Sequence, residues 1–382
     1  MICDASSLGH EYTSSGERLS ALDFFAGSGL ASLALSSDFD VVWANDVSEK
    51  KALVYGLNHP SQGLVLGDIR DVRGSDIPHA NLSWASFPCQ DLSLAGKYLG
   101  LDGKRSGLVG EWLRVLDETT DKPEVVCLEN VLGLITSNGG QDLKNVCEGL
   151  QSFGYQVGAL LLDARHWVPQ SRKRVFLVGY LSDEIPQSLR LDGPVSWSSS
   201  PSMEKAAAEI EGWVWWNLPK PDGLSVSLED VLEMDAPFDD EERRQHLIEL
   251  IPNRHMEKLM SSSRSWFTGY RRTRNHQQRL ELRFDGIAGC LRTSNGGSSR
   301  QIVVHKGKDG RIDTRLLTAR ETARLMGADD YVLPEDYNAA YFAMGDAVCV
   351  PVVRHLVHEL LLPLAKSSTS ALTVDDPCVM AV

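Results

Sequence analysis

Between Leu19 and Tyr180 short apolar runs alternate with longer helical stretches, and this rhythm narrows the accessible folds more than any other feature of the chain. LSALDFFAGSGLASLALSS reads as a strand, a glycine-bearing turn and a helix, and DVVWANDV as a second strand ending in acids, with SEKKALVYGLN as the helix after it. LVLGDI and SWASFPC supply two further strands, KPEVVCLENV a fifth, and YQVGALLLDA and RVFLVGYL two more; EWLRVLDETT and QDLKNVCEGLQSFG are helical. Such alternation predicts an α/β fold with a parallel, doubly wound sheet. After Tyr180 the rhythm stops among prolines, tryptophans and charge clusters, and it resumes at RLLTARETARLMG. There Thr318 and Glu321 form a capping box, and Gly327 ends the helix. The expected organisation is a loose arm at 1–18, one α/β unit made from 19–180 and 311–382, and a smaller irregular domain at 181–310.

No apolar run is long and uninterrupted enough to span a bilayer, and MICDASSLGHEYTSSGERLS lacks a basic segment followed by an apolar one, so a cytoplasmic protein with no membrane partner is expected. Seven cysteines without any C-x-x-C spacing argue against a disulfide framework and against a zinc site. The net charge of −14 is unevenly spread: residues 254 to 300 hold ten Lys and Arg against three Asp and Glu, a net of +7. An acidic body with one basic surface repels polyanions everywhere except at that surface.

The residues with chemical potential fall at strand ends. In DFFAGSG, Gly27 and Gly29 would let the backbone come close to a ligand, a Cβ at either place blocking the approach. Asp46 ends the second strand, where a carboxylate can accept hydrogen bonds from ribose hydroxyls, and Asp68 in GDI could accept from an adenine amino group. Together they favour an adenosine-containing ligand lacking a diphosphate. FPCQDLSLAG holds Cys89 directly after Pro88, and Glu129 and Asn130 follow at the end of the fifth strand. Parallel strands deliver their ends to one crevice, so Cys89 and Glu129 should face each other. In PQSRKRVFLVGY, period-two alternation is expected to put Gln170, Arg172 and Arg174 on one strand face.

The ordered set DFFAGSG, ANDV, GDI, FPCQDLSLAG, ENV, QSRKR, RLLTARETARLMG and GDAV resembles the DNA (cytosine-5) methyltransferase family over about residues 19 to 180 and 285 to 360. The resemblance implies a Rossmann-like sheet with helices on both faces that binds S-adenosylmethionine, and a target-recognition domain in the intervening stretch. It implies Cys89 as the nucleophile that adds to carbon 6 of cytosine, and Glu129 as general acid at N3. Arg172 and Arg174 would hold the base at O2 and orient the glutamate, with Asn130 and Gln90 supporting the loop. Phe25, Ala26, Gly27, Gly29, Asp46, Val47, Asp68, Ile69, Pro88 and Asp346 match cofactor positions, and S-adenosylhomocysteine would be the product. No metal is required. The target base must leave the duplex to be reached from both faces, with Ser93 as a clamp on the displaced phosphate.

Within the basic stretch, Arg271, Arg272, Arg274, Asn275, Gln277 and Gln278 are candidates for base or phosphate contact, and Arg292 and Arg300 flank a Gly/Ser loop that could touch the DNA backbone. The tryptophans of GWVWW read as local core. Two departures from the family pattern stand out: Leu30 replaces a usual glycine, and Asp346 replaces a usual asparagine, which could alter donor affinity or choice. Double-stranded DNA is the expected partner, in a monomeric, nucleoid-associated enzyme of the prokaryotic or phage type whose gene could accompany a cognate restriction endonuclease. A tRNA-methylating relative and a non-catalytic DNA-binding relative are the alternatives.

Overall fold

The computed structural model describes residues 18–88, 107–293 and 300–372. Most of the arm expected at 1–18 lies outside them, as do Cys89, Gln90 and Ser93.

The strands read from sequence form one seven-stranded sheet: β1 (Ser20–Phe24), β2 (Asp40–Asp46), β3 (Leu64–Leu66), β4 (Leu82–Ala85), β5 (Val125–Val131), β6 (Gln156–Asp163) and β7 (Lys173–Tyr180), ordered β3-β2-β1-β4-β5-β7-β6. Period-two burial builds a core on each face. Leu82, Trp84, Val125 and Cys127 join one apolar cluster, and Ala85, Val126 and Leu128 the other. Helices α1 (Leu30–Leu35), α2 (Glu49–Asn58), α3 (Leu108–Glu118), the single turn α4 (Gly133–Thr136) and α5 (Gln141–Ser152) connect the strands. On α3, Val109, Trp112, Leu113 and Leu116 are buried at helical spacing, and the Trp112 indole N–H is satisfied by Ser83 Oγ at 3.1 Å.

The first five strands are parallel, but β7 runs antiparallel to both β5 and β6. This corrects the all-parallel expectation. Residues 164–172 are too few to carry a crossover, so the chain folds straight back from β6 into β7. The order reverses between β1 and β4, and at such a switch point a crevice opens beyond the strands' C-terminal ends.

The stretch expected to be irregular contains a second sheet, antiparallel, of β10 (Trp266–Arg274), β11 (Gln277–Leu282), β12 (Gln301–Lys306) and β13 (Ile312–Leu316), in the order β11-β10-β12-β13. Asn275 and His276 both have positive φ, 49° and 62°, which makes the β10–β11 link a two-residue turn matched to strand twist. Leu247 and Ile251, on or just after α8 (Glu241–Glu249), and Leu259 of α9 (Asn253–Ser261) close the core of this unit over Phe267, Leu280 and Val304. Packing divides the chain differently from the boundaries at 181 and 310. The short ribbon β8 (Arg190–Leu191) with β9 (Trp215–Trp216), α6 (Pro201–Ala207) and α7 (Leu228–Val231) pack on the large unit, Trp216 and Leu218 within its core, whereas β13 extends the small sheet to Leu316. The buried Trp216 fits the core reading of GWVWW.

The chain then returns through α10 (Ala319–Leu325), α11 (Tyr337–Asp346), α12 (Val350–Leu356) and α13 (Leu362–Leu372). Thr318 and Glu321 form the expected capping box, and Gly327 has φ 71°. The stretch Tyr337–Ser368 is apolar and long enough to cross a membrane. Here Val350, Val353, Leu356, Leu360, Leu361 and Leu364 are spent in the core, each with 0% exposure.

Candidate active site

The C-terminal ends of β1 to β5 open into one cavity of about 1420 Å³, bordered also by the segment Cys290–Thr293 and by Gly345–Val348. It is where the switch point puts it.

On the β1 to β3 side the walls include Phe25, Ala26, Gly27, Asp46, Val47, Asp68 and Ile69. Phe25 has φ 59°, a left-handed conformation uncommon for a residue with a side chain. Asp46 organises this turn: one carboxylate oxygen accepts the Gly27 N–H at 2.9 Å and the other the Ser48 N–H at 2.8 Å. Asp68 caps a short turn, accepting the Arg70 N–H at 2.9 Å and pairing with the Arg70 guanidinium at 3.1 Å. The two glycines have different jobs. A Cβ on Gly27 would meet nothing nearer than 3.8 Å, which leaves the approach to the backbone open. On Gly29, at φ 91°, it would stand 2.6 Å from His59 Nε2 and 2.8 Å from the Tyr331 hydroxyl. Protein packing rather than ligand approach therefore requires Gly29, a correction to the expectation. Leu30, the first departure, begins α1 and is buried in the core. Room, an ordered glycine turn and two strand-end carboxylates fit an adenosine-bearing donor.

On the β4 and β5 side stand Pro88, Glu129, Asn130 and Arg174. Arg174 Nε lies 3.0 Å from Glu129 Oε1, an adjacency that follows from the antiparallel register, in which Val131 faces Arg174 and Glu129 faces Phe176. Burial raises the Glu129 carboxyl above the ordinary carboxylate range, although Arg174 and Arg172 pull the other way. The Asn130 amide donates to the Phe87 carbonyl at 2.9 Å and thereby fixes the backbone two residues ahead of Cys89.

Arg172 departs from its expected role. It precedes β7, is 2% exposed, and its guanidinium donates to the carbonyls of Leu291 and Gly345, each at 3.1 Å, to that of Ala347, and to Cys290 Sγ at 3.4 Å. Burial, then the neighbouring Arg174, lowers its pKa. Gln170 is also buried: its amide donates to the Leu325 carbonyl at 2.7 Å, and its oxygen accepts the Leu291 N–H at 3.0 Å. Both side chains stitch distant segments together, and only Arg174 of the three borders the cavity.

Sequence reasoning missed Cys290 and Lys51, which border the same cavity. Burial opposes ionisation of Cys290, but Arg172, Arg174 and Arg292 outweigh it and pull the thiol below its ordinary value. Lys51 pairs with Asp346, the second departure, at 3.2 Å. No local pattern announces either residue.

The basic candidates of the small unit lie on the β10–β11 hairpin, and cross-strand register sorts them. Arg272, Arg274 and Gln277 share one face, and Arg271 and Gln278 the other, with Asn275 in the turn. Arg272 stacks on Tyr270 at 4.4 Å, and Arg272 and Arg274 pair with Glu281 at 3.6 and 2.6 Å. Arg300 lies over the rings of Tyr337 and Tyr341, and Arg292 borders the cavity.

A family model for C-5 cytosine-specific DNA methylase matches residues 19–361. The Type II methyltransferase M.Bsp6I of Bacillus sp. (strain RFL6) is 26% identical over 351 residues, covering 90% of this chain and 98% of that protein. M.HhaI of Haemophilus parahaemolyticus is 26% identical over 350 residues, covering 89% and 93%. Among solved structures, the Entamoeba histolytica methyltransferase EhMeth superposes with a TM-score of 0.60 at 15% identity, over 91% of this chain and 99% of that one. The S. pombe Dnmt2 methyltransferase gives 0.56 at 21% identity, with the same two coverages. The family model spans both the α/β unit and the small sheet, and with the site described above it leads to one conclusion: the chain belongs to the C-5 cytosine-specific DNA methylase family and is a DNA (cytosine-5) methyltransferase.

Proposed function

We propose that the chain methylates a cytosine turned out of duplex DNA, with S-adenosylmethionine as donor and Cys89 as the covalent catalyst. The observation that carries this reading is that the acid Glu129 with its partner Arg174, and the donor-side residues Phe25, Gly27, Asp46 and Asp68, border one cavity. Pro88 borders it too, and Cys89 follows Pro88 in sequence. When bound, the donor supplies a methyl group made electrophilic by a sulfonium.

In this mechanism the Cys89 thiolate adds to carbon 6 of the cytosine and breaks its aromaticity. Glu129, whose carboxyl is shifted by burial toward its acid form, would donate to N3 as negative charge develops on the ring. Arg174 keeps that carboxyl aimed and offers its remaining N–H groups to the base O2. Carbon 5, now enamine-like, would accept a methyl group from a bound donor; removal of the carbon 5 proton by a base such as water would then expel the cysteine as its thiolate. Asn130 restrains the backbone at Phe87, so that the loop carrying the thiol starts from a fixed point.

The small unit, 239–316, is the target-recognition domain in this reading. Its basic β10–β11 hairpin supports a duplex, whose phosphates Arg271, Arg272 and Arg274 would meet before any base is read. Unstacking the target base costs a few kcal/mol, which those contacts offset.

Duplexes containing 5-fluorocytosine in place of the target, incubated with the donor, trap the covalent species because fluorine cannot leave as the proton does. The expected result is a mass increase on the Cys89 peptide and none in Cys89→Ser. An adduct elsewhere, or equal methyl incorporation by both proteins, would sink the assignment.

A further inference from the structure

We propose that Arg274 reads a guanine of the recognition sequence, bidentately from the major groove, and that Glu281 is the positioning residue that fixes its guanidinium for that contact. This rests on the recognition-domain reading above and names one base which that domain takes.

The end of the hairpin is a two-stranded ribbon. Among the described residues, β12 pairs with β10 only from Trp266 to Tyr270, whereas β11 follows β10 out to Arg274 and Gln277. Beyond Tyr270 no described residue adds a third strand, and residues 273–279 are exposed. A ribbon of this width fits the major groove of B-form DNA, where guanine presents O6 and N7 as neighbouring acceptors. Its two faces differ. Leu280 and Leu282 turn one toward the core of the small unit. The other carries Tyr270, Arg272, Arg274 and Glu281, and farther back on that face Trp266 and Val303 pack against the large unit.

The arginines of this face are sorted by what braces them. Arg274 Nε lies 2.6 Å from Glu281 Oε1, and neither of its Nη groups has a partner among the described residues, so the forked end stays open. Arg272 braces the other Glu281 oxygen with its Nε at 3.6 Å, and its own guanidinium is held over the Tyr270 ring. The hydrogen bond from Arg274 outweighs burial and keeps the Glu281 carboxyl below its ordinary range, so the brace is charged. Side-chain exposure is 17% for Glu281 and 56% for Arg274: the anchor is sheltered and the fork stands in water.

Phosphates are met first, by long-range attraction that asks only for a flexible cation. A carboxylate beside the guanidinium weakens that attraction, so the brace is out of place in a residue meant for the DNA backbone. A guanine edge is uncharged and directional, and a planar fork fixed at its Nε suits it. Arg279, opposite Arg272 on the same face, is exposed and has no ion-pair partner among the described residues; it is the sequence-blind counterpart.

The test is methylation of a duplex library randomised around a cytosine, stopped early and read by bisulfite sequencing. Wild-type protein should prefer guanine at one or more positions outside the target pair. In Arg274→Ala the preference at one such position should fall about tenfold or more while preferences elsewhere persist, the scale of a lost bidentate base contact. Arg274→Lys, which keeps the charge without the fork, should lose the same preference. Glu281→Ala should lower it too, while methylation of non-preferred sequences rises because an acid facing the phosphates is gone. Arg279→Ala should slow all sequences alike and flatten the salt dependence. No guanine preference in the wild type, an unchanged preference in Arg274→Ala or Glu281→Ala, or an equal loss on every sequence in Arg274→Ala, complete loss included, overturns the proposal. Failure of the wild type to methylate any duplex overturns the recognition-domain reading itself.

Discussion

Arg172 and Arg174 are two residues apart and chemically identical, yet the structure assigns them opposite consequences on mutation. Replacing Arg172 by Met strands the carbonyls of Leu291, Gly345 and Ala347 in a buried setting. At about 1 kcal/mol for each acceptor left without its donor, the loss is about 3 kcal/mol, at the lower edge of the ~3–5 kcal/mol typical when one partner of a buried charged interaction is removed. With an unfolding entropy near 2.1 cal/mol/K per residue over 382 residues, that loss lowers Tm by about 4 °C. Arg174→Met strands no such set of carbonyls and should lower Tm less than Arg172→Met does, yet it removes the partner of Glu129 and should abolish most turnover. Differential scanning calorimetry with single-turnover methyl transfer separates the two, and hydrogen exchange should report loosening at 290–293 and 345–347 in Arg172→Met alone. If Arg172→Met keeps the wild-type Tm and loses turnover as fully as Arg174→Met, the clamp assignment is wrong and Arg172 acts on the base.

Other expectations follow from the same geometry. Because burial raises Glu129 and its acid form is the reactive one, the methyl-transfer rate should fall as pH rises through that raised value; Arg174→Met removes an opposing cation and should move the falling limb to higher pH, while Glu129→Gln should show no such limb. Asp23 is wholly buried, and its pKa is pushed up to about 7, first by burial and then by the charge of Asp46, against a hydrogen bond from Ser32. Its folded value lies above its unfolded one, so its stabilising effect is complete below about pH 4 and lost by about pH 7, at most about 4 kcal/mol. Urea titrations at pH 5 and 8 should show this decline in wild type and a flatter profile in Asp23→Asn. Gly29→Ala should destabilise by about 2–5 kcal/mol through overpacking and left-handed strain, whereas Gly27→Ala adds only the strain, about 1–2 kcal/mol, and comparison of urea midpoints checks the order.

The strand ends were legible because an apolar run closed by an acid or glycine needs only local pattern to read. Asp46, Asp68 and Glu129 were found that way, and all border the cavity. What escaped depends on partners far off in the chain. Arg172 reads as an active-site cation until its acceptors appear 119, 173 and 175 residues away. The direction of β7 was hidden because an interior strand buried on both faces has the same apolar look whether its neighbours run with it or against it. The small sheet was obscured by its charge: Arg271, Arg272 and Arg274 break the apolar alternation that would have marked β10 as a strand.

The small sheet is threaded through its host rather than hung from it. Between β11 and β12 the chain dips back to the large unit, where Ala288 pairs with Pro169 and Ser171 and Leu291 meets Gln170, before it leaves again for β12. On the proposed assignment of the small sheet to target recognition, transplanting sequence specificity between relatives would require grafting two separate inserts, 239–286 and 300–316, with the native stitch 287–293 left untouched. A single contiguous cassette would carry a foreign stitch into the wall of the reaction chamber.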